Sequence, residues 1–505
     1  MDSKIRCSRR NNASPLMILL LLSFLISIHQ LQDVVSAFDV DYRSALTNSL
    51  LYFESQRSGK LPGNQRVWWR GDSALGDGAD ANVNLVGGYY DSGDNVKFGF
   101  PMAFTITTLS WSVVEFEKRL ASFNELNNAL ISIRWGTDYM IRSTKVTGDG
   151  SVTFYGQVGD GQSDHVCWQR PEDMTTPRPS YKIDSNHPGS DLAGETAAAL
   201  AAASLAFRST NRDYSDKLLR YAKAVFKFGR NSKGLYSDSI PSARGFYSSS
   251  GYQDELQWAA IWLHRATGDN KYLRYVASSG NTGGIRSLFS WDDKFLGVQI
   301  LVSKLVLERK VASEGAIWGD YKKQGEHFLC NFIQKGYNNV AMTGGGMVWW
   351  KQPWNHFQYT TSSLLALLSY SDYLSAAGAN LACPVGTVTP AEIVSFAYSQ
   401  TAYILGNNPK KLSYMVGFGK KYPTRVHHRA ASIVSVKNGA TPVDCHDGFS
   451  LWFYRDAPDP NVIHGAIVGG PDENDAYSDS RTNYQQAEPA TVNTAPFVGV
   501  LARLA

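Results

Sequence analysis

In the segment ETAAALAAASLAF, residues 195 to 207, every residue after Glu195 is small or apolar, whichever face of a helix it would occupy. A helix of that kind is stable only where neighbours cover all of it. The chain must therefore build a core in which helices lie between helices. Five more segments carry apolar residues at helical spacing: YSDKLLRYAKAVFKFG (214 to 229), DELQWAAIWLHRATGD (254 to 269), FLGVQILVSKLVL (295 to 307), TTSSLLALLSYSDYLSAAG (360 to 378) and PAEIVSFAYSQTAYILG (390 to 406). Several open on a Ser, Thr or Asp cap and close at Gly. Alternating strand and helix signals are missing, which disfavours a parallel sheet. The pattern predicts an all-α domain of helical hairpins whose loops gather at one end. Periodicity does not separate a closed ring from an open array.

Residues 1–37 read as a secretion signal that is removed. Lys4, Arg6, Arg9 and Arg10 precede the apolar run from Leu16 to Ile28, and Val35 and Ala37 then fit the small-residue cleavage rule. That run is shorter than the roughly 20 apolar residues of a spanning helix; an uncleaved anchor is the alternative. No later stretch is apolar enough for long enough to span a bilayer, so the expectation is a soluble secreted protein with no membrane partner. A chain of about 470 residues often divides into two or three domains. No linker rich in Pro, Ser, Thr or Gly is visible here, so residues 38–505 are expected to form one domain. The net charge of +4 drops to about +2 without the four basic and two acidic residues of the signal. With no basic cluster interleaved with aromatics, this argues against a nucleic-acid partner. Cys7 lies in the signal, and Cys167, Cys330, Cys383 and Cys445 remain. Four cysteines allow three pairings, none favoured by sequence, and their spacing resembles no zinc site.

The stretch GGYYDSGDNVKFGFPMAFT, residues 87 to 105, sets Asp91 and Asp94 in a glycine-rich, aromatic-flanked turn. An aspartate pair alone is most simply a solvated turn. A second acidic stretch, 471 to 499, places Asp479 and Glu488 among Tyr477, Tyr484 and Asn493, and SYMVGFGKKYPTRVHHRAAS (413 to 432) sets His427, His428 and Arg429 in a loop. A ring would bring these distant segments together. Aromatic residues make up 12% of the chain, many in loop-like segments beside Gly, Gln, Asn and Arg, such as RVWWRGDSAL, YGQVGDGQSDHVCWQRPEDM, FSWDDKFLG and GGGMVWWKQPWNHFQY. Such rings suit the apolar C–H face of a sugar, and carboxylates beside them suit glycoside chemistry. Phosphate chemistry is disfavoured by the absence of a P-loop lysine.

On these motifs, and on YRSALTNSLLYFESQRSGKLP, SGYQDELQWAA and AYSDSRTNYQQAEPA, the chain resembles the plant secreted endo-β-1,4-glucanases, or cellulases, of glycoside hydrolase family 9. The family pattern Asp-Ala-Gly-Asp stands here as Asp91-Ser92-Gly93-Asp94. The resemblance implies an (α/α)6 barrel with an open cleft across one end and endo-hydrolysis of cellulose and related soluble or amorphous β-glucans by an inverting mechanism. It makes Glu488 the general acid and Asp94 the general base, with Asp91 holding the same water. Asp479 would support the centre, and His427 and Arg429 would bind sugar hydroxyls. Trp349, Trp350 and Trp291 would form a stacking floor, with Tyr484 also at the substrate. Ser250, Gly251, Asp254 and Glu255 match a calcium-binding turn of some members, although Asp254 and Glu255 also read as first-turn helix charges. No cofactor is required. A monomer without a carbohydrate-binding module is expected. The same machinery acting on xyloglucan, xylan or mannan, or a glucan-binding wall protein without turnover, are the rival readings.

Overall fold

The computed structural model describes residues 40–312, 317–352 and 354–505; the signal read at residues 1–37 lies outside them. Twelve helices of nine residues or more occur among the described residues, and they alternate strictly between two layers. The outer set is α1 (Tyr42–Ser55), α3 (Leu126–Ser143), α5 (Arg212–Asn231), α7 (Asn270–Ser278), α9 (Ile317–Phe332) and α11 (Pro390–Ile404). The inner set is α2 (Gly99–Ser122), α4 (Ser190–Ala206), α6 (Gln253–Thr267), α8 (Phe295–Leu307), α10 (Phe357–Ala377) and α12 (Thr491–Leu504). Each inner helix packs on the next, and α12 returns to α2, so the ring is closed. The outer helices α3, α5, α7, α9 and α11 pack on the inner helices that precede them, and α1 packs on α12. This is an (α/α)6 barrel, and Tyr42–Ala505 form one compact unit.

Burial follows from the sequence of each layer. Every residue of α4 except Leu205 is buried, as the small and apolar run after Glu195 demands. A Cβ on Gly194 would sit 2.7 Å from the backbone carbon of Glu255, so only glycine allows α4 to approach α6 this closely. In α5 the buried stripe of Leu218, Ala222, Val225, Phe226 and Gly229 is set against exposed Arg220, Lys223, Lys227 and Arg230. Between α2 and α6, Trp111, Trp258 and Trp262 pack edge to face with centroids 5.5–6.2 Å apart.

Outside the helices, β1 (Lys97–Phe98), β2 (Thr144–Val146) and β4 (Ser180–Ile183) all pair antiparallel with β3 (Val152–Val158). A hairpin joins β5 (Leu381–Cys383) to β6 (Gly386–Val388). The sheet was not expected: β3 runs through a segment read above as an aromatic loop. The disulfides are Cys167–Cys445 and Cys330–Cys383, which selects one of the three pairings. No described helix is long and apolar enough to cross a membrane.

Candidate active site

The chain segments that lead into inner helices α2, α6, α10 and α12 supply Asp94, Tyr247, Trp354 and Glu488 to one cleft of about 530 Å³. The turn from Asp91 to Asp94, just before α2, is clamped from three directions. Gln56, beyond the end of α1, donates to the Ser92 carbonyl at 2.7 Å. The Thr491 amide at the start of α12 donates to the Asp91 carbonyl at 3.1 Å. The backbone amide and Nη1 of Arg429 both donate to the Gly93 carbonyl at 3.0 Å. Gly93 is needed because a Cβ there would lie 2.0 Å from the His427 carbonyl oxygen. Its hydrogen therefore lets two protein segments meet.

Glu488 follows the short helix Tyr484–Ala487 and is buried. Its Oε1 accepts from Ser92 Oγ at 3.0 Å and from the Gly93 amide at 3.2 Å, and its Oε2 accepts from Trp354 Nε1 at 2.9 Å. Asp94 Oδ1 accepts from the Val96 amide at 2.9 Å, and Asp94 Oδ2 accepts from Ser92 Oγ at 3.2 Å. Asp91 Oδ2 accepts from the Tyr247 hydroxyl, while its Oδ1 is buried with no protein partner. That leaves Oδ1 able to take a water. Burial, then the neighbouring Asp164 charge, pushes Asp94 up to about 6. Burial, then the Asp94 charge, pushes Asp91 well above the ordinary carboxylate range, against the Tyr247 hydrogen bond. Like charges in a dry site cannot all ionise together, so these groups titrate as a set.

His427 lines the same cleft, its backbone against Gly93 and Ala487. Its Nδ1 lies 2.8 Å from the Arg481 carbonyl, so Nδ1 carries the proton and Nε2 is the free acceptor of the neutral ring. Burial lowers its pKa, which favours that neutral form. Its ring packs on Trp168 at 4.9 Å and on Tyr484 at 6.0 Å. Trp168, Phe449 and Phe453 continue this wall, and the Cys167–Cys445 bridge ties its two halves together.

Several sequence-based expectations are met in position and others need correction. Asp91, Asp94, Glu488, His427 and half-exposed Tyr484 converge on the site. Asp479 lies outside the cleft lining and accepts from the amides of Thr424 and Arg425 at 2.9 and 3.0 Å, anchoring the loop that carries His427. Arg429 is 2% exposed and turns its guanidinium to the carbonyls of Cys167, Gly93 and Asp164 and to the Asp164 carboxylate at 3.1 Å. It buttresses the aspartate turn and also lines the cleft. Trp350 is a core residue: it is 7% exposed, donates to the Ser287 carbonyl at 2.9 Å and packs on Phe332 and Tyr359. Trp349 is half-buried and outside the cleft lining. Trp291 packs behind Tyr247 at 4.8 Å, supporting the site without lining it. The tryptophan that does reach the acid is Trp354, five residues beyond Trp349 in the same aromatic loop. Tyr247 and Gln56 were also missed. Gln56 had no local signal, since its role exists only through the tertiary position of Ser92.

At the expected calcium turn, the Ser250 amide donates to Asp292 Oδ1 at 2.8 Å, Asp254 Oδ2 accepts from the Lys294 amide at 2.8 Å, and Glu255 Oε1 accepts from Lys294 Nζ at 3.0 Å. Gly251 accepts from Ser249 Oγ at 2.7 Å. Glu255 Oε2 is buried without a partner, and burial with the Asp254 charge holds Glu255 well above the usual range. Among the described residues, three acidic or histidine ligand atoms converge elsewhere, at exposed Asp444, His446 and Asp447.

Carboxylates brought together in a ring-lined cleft by the loops into a helical barrel suit the cleavage of glycosidic bonds. The model of glycosyl hydrolase family 9 matches residues 42–501, and the chain belongs to that family. It is 57% identical over 466 residues to Endoglucanase 13 of Arabidopsis thaliana, covering 92% of this chain and 94% of that one. Among solved structures, the endoglucanase of the termite Nasutitermes takasagoensis aligns with a TM-score of 0.80 and 40% identity over 92% of this chain and 99% of the other. Endoglucanase CelQ of Clostridium thermocellum, complexed with cellotetraose, aligns with a TM-score of 0.74 and 30% identity over 92% and 70%.

Proposed function

We propose that the chain hydrolyses internal β-1,4-glucosidic bonds of cellulose and related soluble or amorphous β-glucans, with inversion at the anomeric carbon. The observation that carries the hydrolytic reading is the placement of Glu488 and Asp94 on either side of Ser92 in a cleft walled by aromatic rings; inversion is inferred from the resemblance to the family, not from this geometry. Glu488 protonates the leaving glycosidic oxygen. Asp94 takes a proton from the attacking water, and the free Oδ1 of Asp91 accepts from the same water and fixes its line of approach. Tyr247 holds the other oxygen of Asp91 and so aims the pair. His427 Nε2 accepts from a sugar hydroxyl, and Tyr484, Trp354 and Trp168 offer ring faces or edges to the glucan. Relatives named endoglucanases and a structural neighbour holding cellotetraose support this substrate class. A polymeric wall substrate fits secretion into the cell wall by a monomer, which we propose with it.

An open cleft admits a chain at internal positions. Viscosity of a soluble cellulose derivative should therefore fall well before reducing ends accumulate; viscosity and reducing sugar changing in step would overturn the endo reading. Product analysis on xyloglucan, xylan and mannan beside β-1,4-glucan fixes the preferred polymer.

Calcium at the Ser250–Glu255 turn is proposed on one observation, the orphaned buried Glu255 Oε2 in an oxygen-rich, anionic setting. Lys294 already supplies part of the countercharge. Bound calcium would stabilise the folded state by mass action, so EGTA should lower the melting temperature more than it lowers activity at low temperature. Unchanged melting and no calcium by elemental analysis would leave Asp254 and Glu255 as first-turn helix charges.

A further inference from the structure

Both assigned catalytic carboxylates end on the same hydroxyl. Ser92 Oγ lies 3.0 Å from Glu488 Oε1 and 3.2 Å from Asp94 Oδ2. The other protein partners of Glu488 are the Gly93 amide and the Trp354 indole, and the other partner of Asp94 is the Val96 amide. All three are N–H groups, which donate and never accept. Among the described residues, Ser92 is thus the one hydrogen-bond partner of either carboxylate that can both donate and accept. It is also the position at which the sequence departs from the Asp-Ala-Gly-Asp pattern, where an alanine would offer neither capacity.

We propose that Ser92 is a positioning residue that couples the general acid to the general base, its hydroxyl favouring the state in which the pair shares one proton. This rests on the roles assigned to Glu488 and Asp94 above. With Glu488 protonated and Asp94 ionised, the chain runs in one direction: Glu488 O–H donates to Ser92 Oγ, and the Ser92 O–H donates to the Asp94 carboxylate. Every group is satisfied, and the last bond is charge-assisted, the stronger kind. With both carboxylates ionised, the single Ser92 proton serves only one of them, and the other faces an oxygen lone pair. With both protonated, the bond to Asp94 loses its charge. The one-proton state gains most from the bridge. The bridge also works in reverse, with the proton on Asp94 and Glu488 ionised, the state that follows cleavage. Burial, which raises Asp94 to about 6, places its ionisation within a measurable pH range.

Other charges face the pair from neighbouring elements. Asp91 faces both members of the pair, Asp164, His165 and Arg429 act on Asp94, His427 faces Glu488, and Tyr247 and Tyr52 face all three carboxylates. All of these remain when Ser92 alone is changed, so a change in the width of the pH profile reports the hydroxyl.

The test is the pH profile of kcat/KM for Ser92→Ala on a soluble cellulose derivative. Alanine is smaller and should leave melting nearly unchanged. The expected bell is narrower, its acid limb moved up and its alkaline limb moved down, each by about half a pH unit. Ser92→Thr, which keeps the hydroxyl, should restore the width. A bell of unchanged width in Ser92→Ala, or two limbs that move the same way, would overturn the role of Ser92 while leaving the acid–base assignment standing. A wild-type protein that does not turn over soluble β-1,4-glucan would instead overturn the reading of the site, and the coupling with it.

Discussion

In its proposed role as base, Asp94 would be a single buried carboxylate that serves catalysis at the expense of stability. Its pKa is raised to about 6 by burial and then by the charge of Asp164, so the folded protein holds a proton there that the unfolded chain, with an ordinary aspartate, has already released. The sign follows from linkage: stability falls as pH rises from the unfolded value toward 6, and above that window the folded state carries the full cost of a buried charge. A base must be ionised, so kcat/KM should fall as pH drops through about 6. Asp94→Asn should lower turnover by roughly 10² to 10⁴-fold and, at pH 7, raise the melting temperature by about 1–3 °C, a gain that fades toward pH 4. Glu488→Gln should lower turnover by a similar factor. Calorimetry and initial rates check both; activity within threefold of wild type in either variant would sink the assignment. That these carboxylates share one cleft was expected from the family resemblance of the motifs around them, since the aspartate pair alone reads as a solvated turn. What Arg429 does was not, because a guanidinium beside acids reads the same whether it faces a ligand or four buttressing oxygens.

At the scale of elements, the aromatic loop before α10 divides its labour. Trp350 points into the core between α9 and the start of α10, where it packs on Phe332 and Tyr359, while Trp354 donates to Glu488. Trp350→Ala should therefore cost about 3–5 kcal/mol of stability, the usual range for truncating a buried aromatic, with KM for the remaining folded enzyme little changed. Trp354→Phe should keep the fold, lose the hydrogen bond to Glu488 and lower kcat more than it raises KM. The reverse pattern would restore Trp350 to the cleft. Periodicity found α4, α5, α6, α8, α10 and α11, but α2 was not among the segments read as helical; Gly99, Pro101 and a run of Thr and Ser weaken its pattern. In the fold those hydroxyls bond back to carbonyls one turn earlier: Thr107 to Ala103 at 2.8 Å, Thr108 to Phe104 at 3.0 Å and Ser112 to Thr108 at 2.8 Å. Small polar residues so satisfied can line a buried inner helix. The strand β3 was missed because five aromatic or β-branched residues interrupted by Gly156 and Gln157, without a neighbouring strand pattern, look like any sticky loop.

Across the whole molecule, closure of the ring is what makes a site. α12 packs on both α2 and α1, so a glutamate near the end of the chain meets an aspartate turn that precedes the second helix, and the Ser92–Glu488 bond spans 396 residues of sequence. Helical periodicity pointed to helices that needed covering on several sides, yet only the count of six inner helices closing on themselves, with the loops into four of them opening onto one cleft, fixes which acids face each other. That count is a tertiary property, invisible to local pattern. The central claim is that Glu488 and Asp94 work from opposite faces of the sugar, one giving a proton and the other activating water. The most direct measurement is proton NMR of the anomeric signals in the first minutes of cleavage of a β-1,4-linked cello-oligosaccharide, before mutarotation. Inversion predicts that the new reducing end appears first as the α-anomer, with β growing in only by mutarotation. A β-anomer appearing first would mean that a carboxylate attacks carbon, and would contradict the account.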